Sequence, residues 1–364
     1  MSRTVDKLQK QLQEEVFHYA KDGKKAAGRA LGTIIEIITY YKICAWGFSK
    51  NTLIEARIPE FGRKDITHNV EFSLHKALRE TLVTIPRDGN AIRAKHFSKH
   101  PDFSDAKLSG ELLSSKKLLR NSTILEKREG SVIVANLDNL RDDTLDVLIA
   151  NLVAVPVAIF ECKRVGVEEG MKKGPQSIEK AKQGAYVARS VSALQKVIDR
   201  DGNVMGFLPV DDSEPLIGDY DTMLSNIISG KLHAPSGFML TVGVTSNHGN
   251  WFAAENHNKE LKVLAAAYDW LLFLTDEGLM EFVENCILKP LPECAAIKKA
   301  FLESYSGEKG KNRFTKTRID IEADQALRNY FVAHDNLSNE WFNVIKPADR
   351  NLSVLSKELK ALLK

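Results

Sequence analysis

Residues 155–163, VPVAIFECK, form an apolar run that ends in an acid, a cysteine and a base. In an extended strand residues i and i+2 share a face, so Glu161 and Lys163 project together while Phe160 and Cys162 turn inward. Cys162 then has no local base and lies on the apolar face, which argues against a thiol nucleophile. Upstream, TLDVLIANL (144–152) opens with Asp146. If the two runs are neighbouring strands, Asp146 and Glu161 approach each other across the pair. Two carboxylates held close favour a cation, and hard oxygen donors suit Mg²⁺. Such an ion polarises a phosphate oxygen and acidifies a bound water, and Lys163 is placed to orient that water or to stabilise developing charge. Together such groups are a toolkit for hydrolysing a phosphodiester. The alternative is a surface ion network with no catalytic role.

The elements that must position these groups follow from hydrophobic patterning. A polar amphipathic helix is expected over 3–21, and a second over 26–48, where Leu31, Ile34, Ile35, Ile38 and Tyr41 form a core-facing stripe around Glu36. HNVEFSLHKALRETLV (68–83) reads as another helix, and 86–122 as loops and short helices. Strands are expected over 130–139, 144–152 and 155–163, so close in sequence that they suggest an antiparallel meander. Pro175 then begins a long helix over 176–200 with Asp201-Gly202 at its end. Strands over 203–210 and 237–245 and one or two helices over 259–287 follow. This order implies an α/β fold with a central mixed β-sheet flanked by helices, and helical additions at both ends. The expected organisation is an N-terminal polar helix (1–25), a core (26–250) and a mainly helical C-terminal region (251–364) for DNA contact or dimerisation.

Asp146, then Glu161-Cys162-Lys163 at the end of an apolar strand, resembles the PD-(D/E)xK nuclease superfamily. The helix that follows, with Lys180, Lys182, Gln183, Tyr186 and Arg189, and the Glu-bearing helix ahead of the strands are also similar to that core. The resemblance spans roughly residues 29–245. It implies a restriction-endonuclease-like fold, Asp146, Glu161 and the Cys162 carbonyl as metal ligands, Lys163 as the water-positioning lysine and Glu36 as an auxiliary acid. Leu145 stands where the family often has Pro, so Asp138, Asp142 and Asp143 compete with Asp146 for the first acid.

Lys180 and Lys182 are expected to meet DNA phosphates beside the metal site, with Gln183 and Arg189 on the same helix. In TSNHGNWFAAENHNK (245–259), Asn247 and His248 are candidate base readers or turn residues. The segment 297–318 holds seven Lys or Arg, including Lys311 and Arg313, against Glu303 and Glu308, and reads either as a basic loop that orders on DNA or as a mobile solvated loop. A chain of 364 residues with no GxxxxGK[ST] implies no ATP-driven motor. The four cysteines lack metal-knuckle spacing, and no apolar run reaches membrane-span length, so a cytoplasmic protein with free thiols is expected. The reading is a Mg²⁺-dependent type II restriction endonuclease acting on double-stranded DNA as a homodimer. The alternatives are a repair or defence nuclease without strict sequence recognition, or a non-catalytic DNA-binding protein.

Overall fold

In the computed structural model, residues 5–165, 175–210, 213–233, 235–246, 259–305 and 312–364 are described. Helices α1 (Val5–Glu15) and α2 (Gly23–Ala45) come first. Asp22 caps α2 by accepting from Lys25 N, and its apolar stripe, including Leu31, Ile34, Ile38 and Tyr41, is buried. The chain then forms β1 (Thr52–Glu60) and β2 (Arg63–Leu74). Gly62, at φ +73°, makes the turn between them, a conformation that suits a residue without a Cβ.

An insertion follows, carrying β3 (Ala77–Pro86), β4 (Ile92–Arg93), β5 (Glu111–Leu113), β6 (Leu118–Arg120), β7 (Thr123–Arg128), β8 (Ser131–Leu140) and β9 (Thr144–Val153). The core resumes with β10 (Ala158–Arg164) and α3 (Pro175–Ser190), passes through β11 (Gln195–Ile198), β12 (Val204–Leu208), β13 (Leu216–Asp219) and α4 (Tyr220–Ile228), and returns as β14 (Leu240–Ser246) and β15 (Trp270–Leu274). β16 (Arg318–Asp320) and β17 (Phe342–Lys346) lie among the C-terminal helices.

The central sheet has the order β1-β2-β10-β14-β15-β17. β10, β14 and β15 are parallel to one another, and the other pairs are antiparallel. The helix α2 buries its stripe against Phe72, Phe160, Val244 and Leu272 in the largest core cluster. On the other side, α3 and the helix Lys259–Ala267 pack Ala185, Ala188, Leu261 and Leu264 with Val165 and Tyr268. The fold is therefore α/β with a mixed sheet between helices. No helix among the described residues is long and apolar enough to cross a membrane.

Two expectations change. Residues 68–83 are not a helix but the end of β2 and most of β3, joined at His75. Phe72 and Leu74 are buried beneath α2 and Val70 against Ile159 and Val187, so the second half of the strand is covered on both faces. The expected meander also breaks: β8 and β9 pair, but β9's other neighbour is β3, in a separate sheet of order β3-β9-β8-β7. Both chain crossings between this sheet and the central one meet at His75, whose ring faces Val153 O and Ser73 Oγ at 2.8 Å each. Burial drives its pKa down to about 4, so it bridges the sheets as a neutral imidazole. The helix expected over 176–200 ends at Ser190, and Gln195–Ile198 is a strand. Trp270–Leu274 and Phe342–Lys346 belong to the central sheet, so the C-terminal region completes the core as well as adding helices.

Candidate active site

Alternation along β10 sorts its residues as the sequence predicts. Phe160 and Cys162 join the core beneath α2. The Cys162 thiol is pushed far up by burial and hydrogen-bonds Thr39, so it is inert. The Cys162 backbone sits in the parallel ladder opposite Val244. Glu161 and Lys163 face the other way, with Lys163 Nζ 3.0 Å from Glu161 Oε2.

The partner acid comes from β2. The β2–β10 ladder stops at the Phe72–Phe160 pair, so Glu71 and Glu161 are the next residues on the two strands. Lys163 Nζ lies 3.7 Å from Glu71 Oε1. Glu161 is 3% exposed, and its Oε1 is buried without a hydrogen-bond partner among the described residues. Burial raises its pKa, against the opposing pull of Lys163.

A second cation completes the cluster. Lys316 Nζ is 3.2 Å from Glu36 Oε2, 3.4 Å from Glu55 Oε1, and in contact with Glu71 Oε2. Its side chain is only 7% exposed. Glu55 stands at φ +54°, in the left-handed region that a non-glycine residue occupies at a cost of about 1–3 kcal/mol. Four elements thus deliver carboxylates to one place: α2, β1, β2 and β10.

Of these groups Glu161 and Lys163 lie at an open cleft of about 590 Å³ between β2 and α3, lined also by His68, Asn69, Lys182, Gln183 and Tyr186. At its rim Glu60 Oε1 meets His68 Nε2 at 2.9 Å and accepts from the Tyr186 hydroxyl at 2.7 Å. Glycines allow the walls to close in. A Cβ on Gly184 of α3 would meet Tyr268 Oη at 2.5 Å and the Lys163 side chain at 3.8 Å. A Cβ on Gly243, which pairs with Glu161, would meet the Tyr268 ring at 2.8 Å. Tyr268 is buried and forms a low-dielectric wall beside Glu161.

The structure pairs Glu161 with Lys163, links Glu36 to them through Lys316 and Glu71, and places Lys182 and Gln183 on the cleft. Asp146 is a correction. Its strand pairs with β3 and β8, and its carboxylate is taken by Thr84 Oγ1 at 2.8 Å and Arg141 Nη2 at 2.6 Å. Asp138 stands in the same second sheet and lines a different depression, with Cys44 and Gln325, while Asp142 and Asp143 form the turn before β9. Glu71 is the acid that sequence reasoning missed. Its neighbours Val70 and Phe72 pack into different core clusters, on α3 and on α2, so two-residue alternation alone does not single it out. Arg313 is a second correction. Its guanidinium bonds Asp320 at 2.9 Å, Glu303 at 3.3 Å and Lys116 O at 3.1 Å, which leaves it a structural tie. Arg189 is exposed near the end of α3. The side chain of Lys180, and Asn247, His248 and Lys311, lie outside the described residues.

No protein-family model matches this chain, and neither the curated proteins nor the solved structures contain a match.

Among the described residues no three His, Cys, Asp or Glu side chains meet at one ligating point. The carboxylates fan around two ammonium groups instead. The donor set nevertheless fits a hard divalent cation: the oxygens are carboxylates, and Glu161 Oε1 is a buried acceptor with no hydrogen-bond partner among the described residues.

Proposed function

We propose that this protein is a Mg²⁺-dependent nuclease hydrolysing phosphodiester bonds of double-stranded DNA, with a restriction-endonuclease-like core. The observation that carries the proposal is the linking of Glu36, Glu71, Glu161 and Lys163 by ion pairs, with Lys316 bridging Glu36 to Glu71, and with Glu161 and Lys163 opening on the cleft. They come from a helix, an antiparallel strand pair and an acid-x-lysine strand that is followed by a helix and a parallel strand. The order matches the PD-(D/E)xK resemblance once 75–157 is treated as an insertion and Glu71 replaces Asp146.

Glu161 and Glu71 are the residues that would hold Mg²⁺, with Glu36 behind them. Bound there, the ion would polarise a phosphate oxygen and lower the pKa of a coordinated water. Lys163 holds its ammonium between the two carboxylates at the cleft floor, where it orients the attacking water and stabilises charge on the phosphate. Lys182, exposed on α3 above the cleft, takes a flanking phosphate. The Tyr268 wall excludes water behind Glu161, which strengthens these charge interactions.

Type II restriction is the activity we favour, with two copies acting on a palindromic site because protein two-fold symmetry mirrors site symmetry. Incubation with phage DNA and Mg²⁺ tests both levels. The expected result is discrete fragments, lost when Mg²⁺ is chelated and reduced about 10²–10⁴-fold by Lys163→Ala with DNA binding retained. A smear would select a nuclease without sequence recognition. No Mg²⁺-dependent cleavage of any DNA would overturn the proposal.

A further inference from the structure

We propose that Lys316 is a built-in counter-cation, which neutralises the acid cluster in the metal-free protein and is displaced when a divalent cation binds at Glu71 and Glu161. This inference rests on the reading of that cluster as a metal site.

Lys316 is counted by sequence among the basic residues of a solvated segment, yet its ammonium is buried among Glu36, Glu55 and Glu71. It shares Glu71 with Lys163, so both oxygens of that carboxylate face an ammonium. A dication ligated by Glu71 would sit about 2.0–2.6 Å from one of those oxygens. That brings it within a few ångströms of the lysine charge, in a pocket where screening is weak. The two cations compete for one carboxylate. The same contacts explain why the acids fan apart instead of converging.

The backbone that presents Lys316 is pinned on both sides. Asn121 Nδ2 donates to Lys316 O at 3.1 Å, and Asn121 N donates to Thr317 O at 3.2 Å. Thr315 N donates to Arg318 O at 2.9 Å, and Arg313 is tied to Asp320. Release of the ammonium is therefore a side-chain swing on a fixed turn. Glu55, with its side chain 58% exposed, marks the way out to solvent.

The test uses Mg²⁺ alone, without DNA. By calorimetry the Lys316→Gln variant is expected to bind Mg²⁺ at least about tenfold more tightly than wild type, because a like charge beside the ion is gone. In wild type, acylation of the Lys316 amine, read by peptide mass spectrometry, is expected to rise several-fold at saturating Mg²⁺. That rise should be absent in Glu161→Gln. Unchanged or weaker Mg²⁺ affinity in folded Lys316→Gln, or a Lys316 that stays protected in Mg²⁺, overturns the inference. If Lys316→Gln does not fold, the wild-type labelling decides alone. Mg²⁺-dependent DNA cleavage with Lys316 still protected sinks this inference and leaves the nuclease reading standing. Exposure of Lys316 by Mg²⁺ without cleavage of any DNA does the reverse.

Discussion

Replacing Glu161 by Gln should make the metal-free protein more stable. The carboxylate is 3% exposed, one oxygen meets Lys163 at 3.0 Å, and the other has no hydrogen-bond partner among the described residues. An unsatisfied buried polar group costs about 1–3 kcal/mol, more when it is charged. Gln keeps an acceptor for Lys163 and turns an amide donor toward Glu71. A gain of about 1–3 kcal/mol at pH 7 follows, seen as a rise of a few degrees in melting temperature. The pH dependence has a definite sign. The folded-state pKa of Glu161 is raised above its ordinary 4.5, so this group favours folding below that pH and loses the contribution as pH rises through the folded value. The advantage of the variant should therefore be present at pH 7 and disappear below about pH 4.5. Mg²⁺ acts in the opposite direction: at about 100 times its dissociation constant it adds about 2.7 kcal/mol to wild type and nothing to a variant that cannot bind it. Calorimetric melts at pH 7 and pH 4, with and without Mg²⁺, measure all of this. A variant less stable than wild type at pH 7 in chelator, or one that gains as much from Mg²⁺, refutes the reasoning.

Gly184→Ala should destabilise by about 1–3 kcal/mol and slow cleavage, because the new methyl strikes Tyr268 Oη and shifts α3 over the neighbouring Lys163; adding Tyr268→Phe removes the atom it strikes and should restore most of both, read by melts and a plasmid-nicking assay. Asp269 is buried and accepts from Tyr220, Thr241 N and Thr241 Oγ1, with Lys196 3.1 Å away. Burial alone would raise its pKa, but Lys196 and these bonds outweigh it and hold the pKa below 3.8. Its stabilisation is thus present above pH 3.8 and lost as pH falls through the folded value. Asp269→Ala should cost about 3–5 kcal/mol in urea titrations at pH 7, and less at pH 3.

Local pattern exposed one half of the site and hid the other. Two-residue alternation was enough to aim Glu161 and Lys163 one way and Phe160 and Cys162 the other. The stripe of α2 likewise carried Glu36 to the sheet. Glu71 was hidden because Val70, Leu74 and Leu78 also recur at helical spacing, and a short run satisfies both periods. Asp146 was misplaced because strands close in sequence usually pair, whereas here the chain changes sheets between Val153 and Ala158. Trp270–Leu274 merged with flanking helices because a strand buried on both faces has no alternation to betray it. Lys316 and Arg313 show the limit most sharply: a charged segment reads as solvated until long-range pairing of β16 with β6 sets its course into the acid cluster.

The central claim is that Glu71, not Asp146, pairs with Glu161 at the reacting centre. The direct measurement compares Mg²⁺-dependent cleavage by Glu71→Gln and Asp146→Asn, with DNA binding followed in parallel. Glu71→Gln should lose cleavage by about 10²-fold or more while still binding DNA. Asp146→Asn should cleave near the wild-type rate with only a lower melting temperature. Abolished cleavage in folded Asp146→Asn, with Glu71→Gln active, would contradict the account.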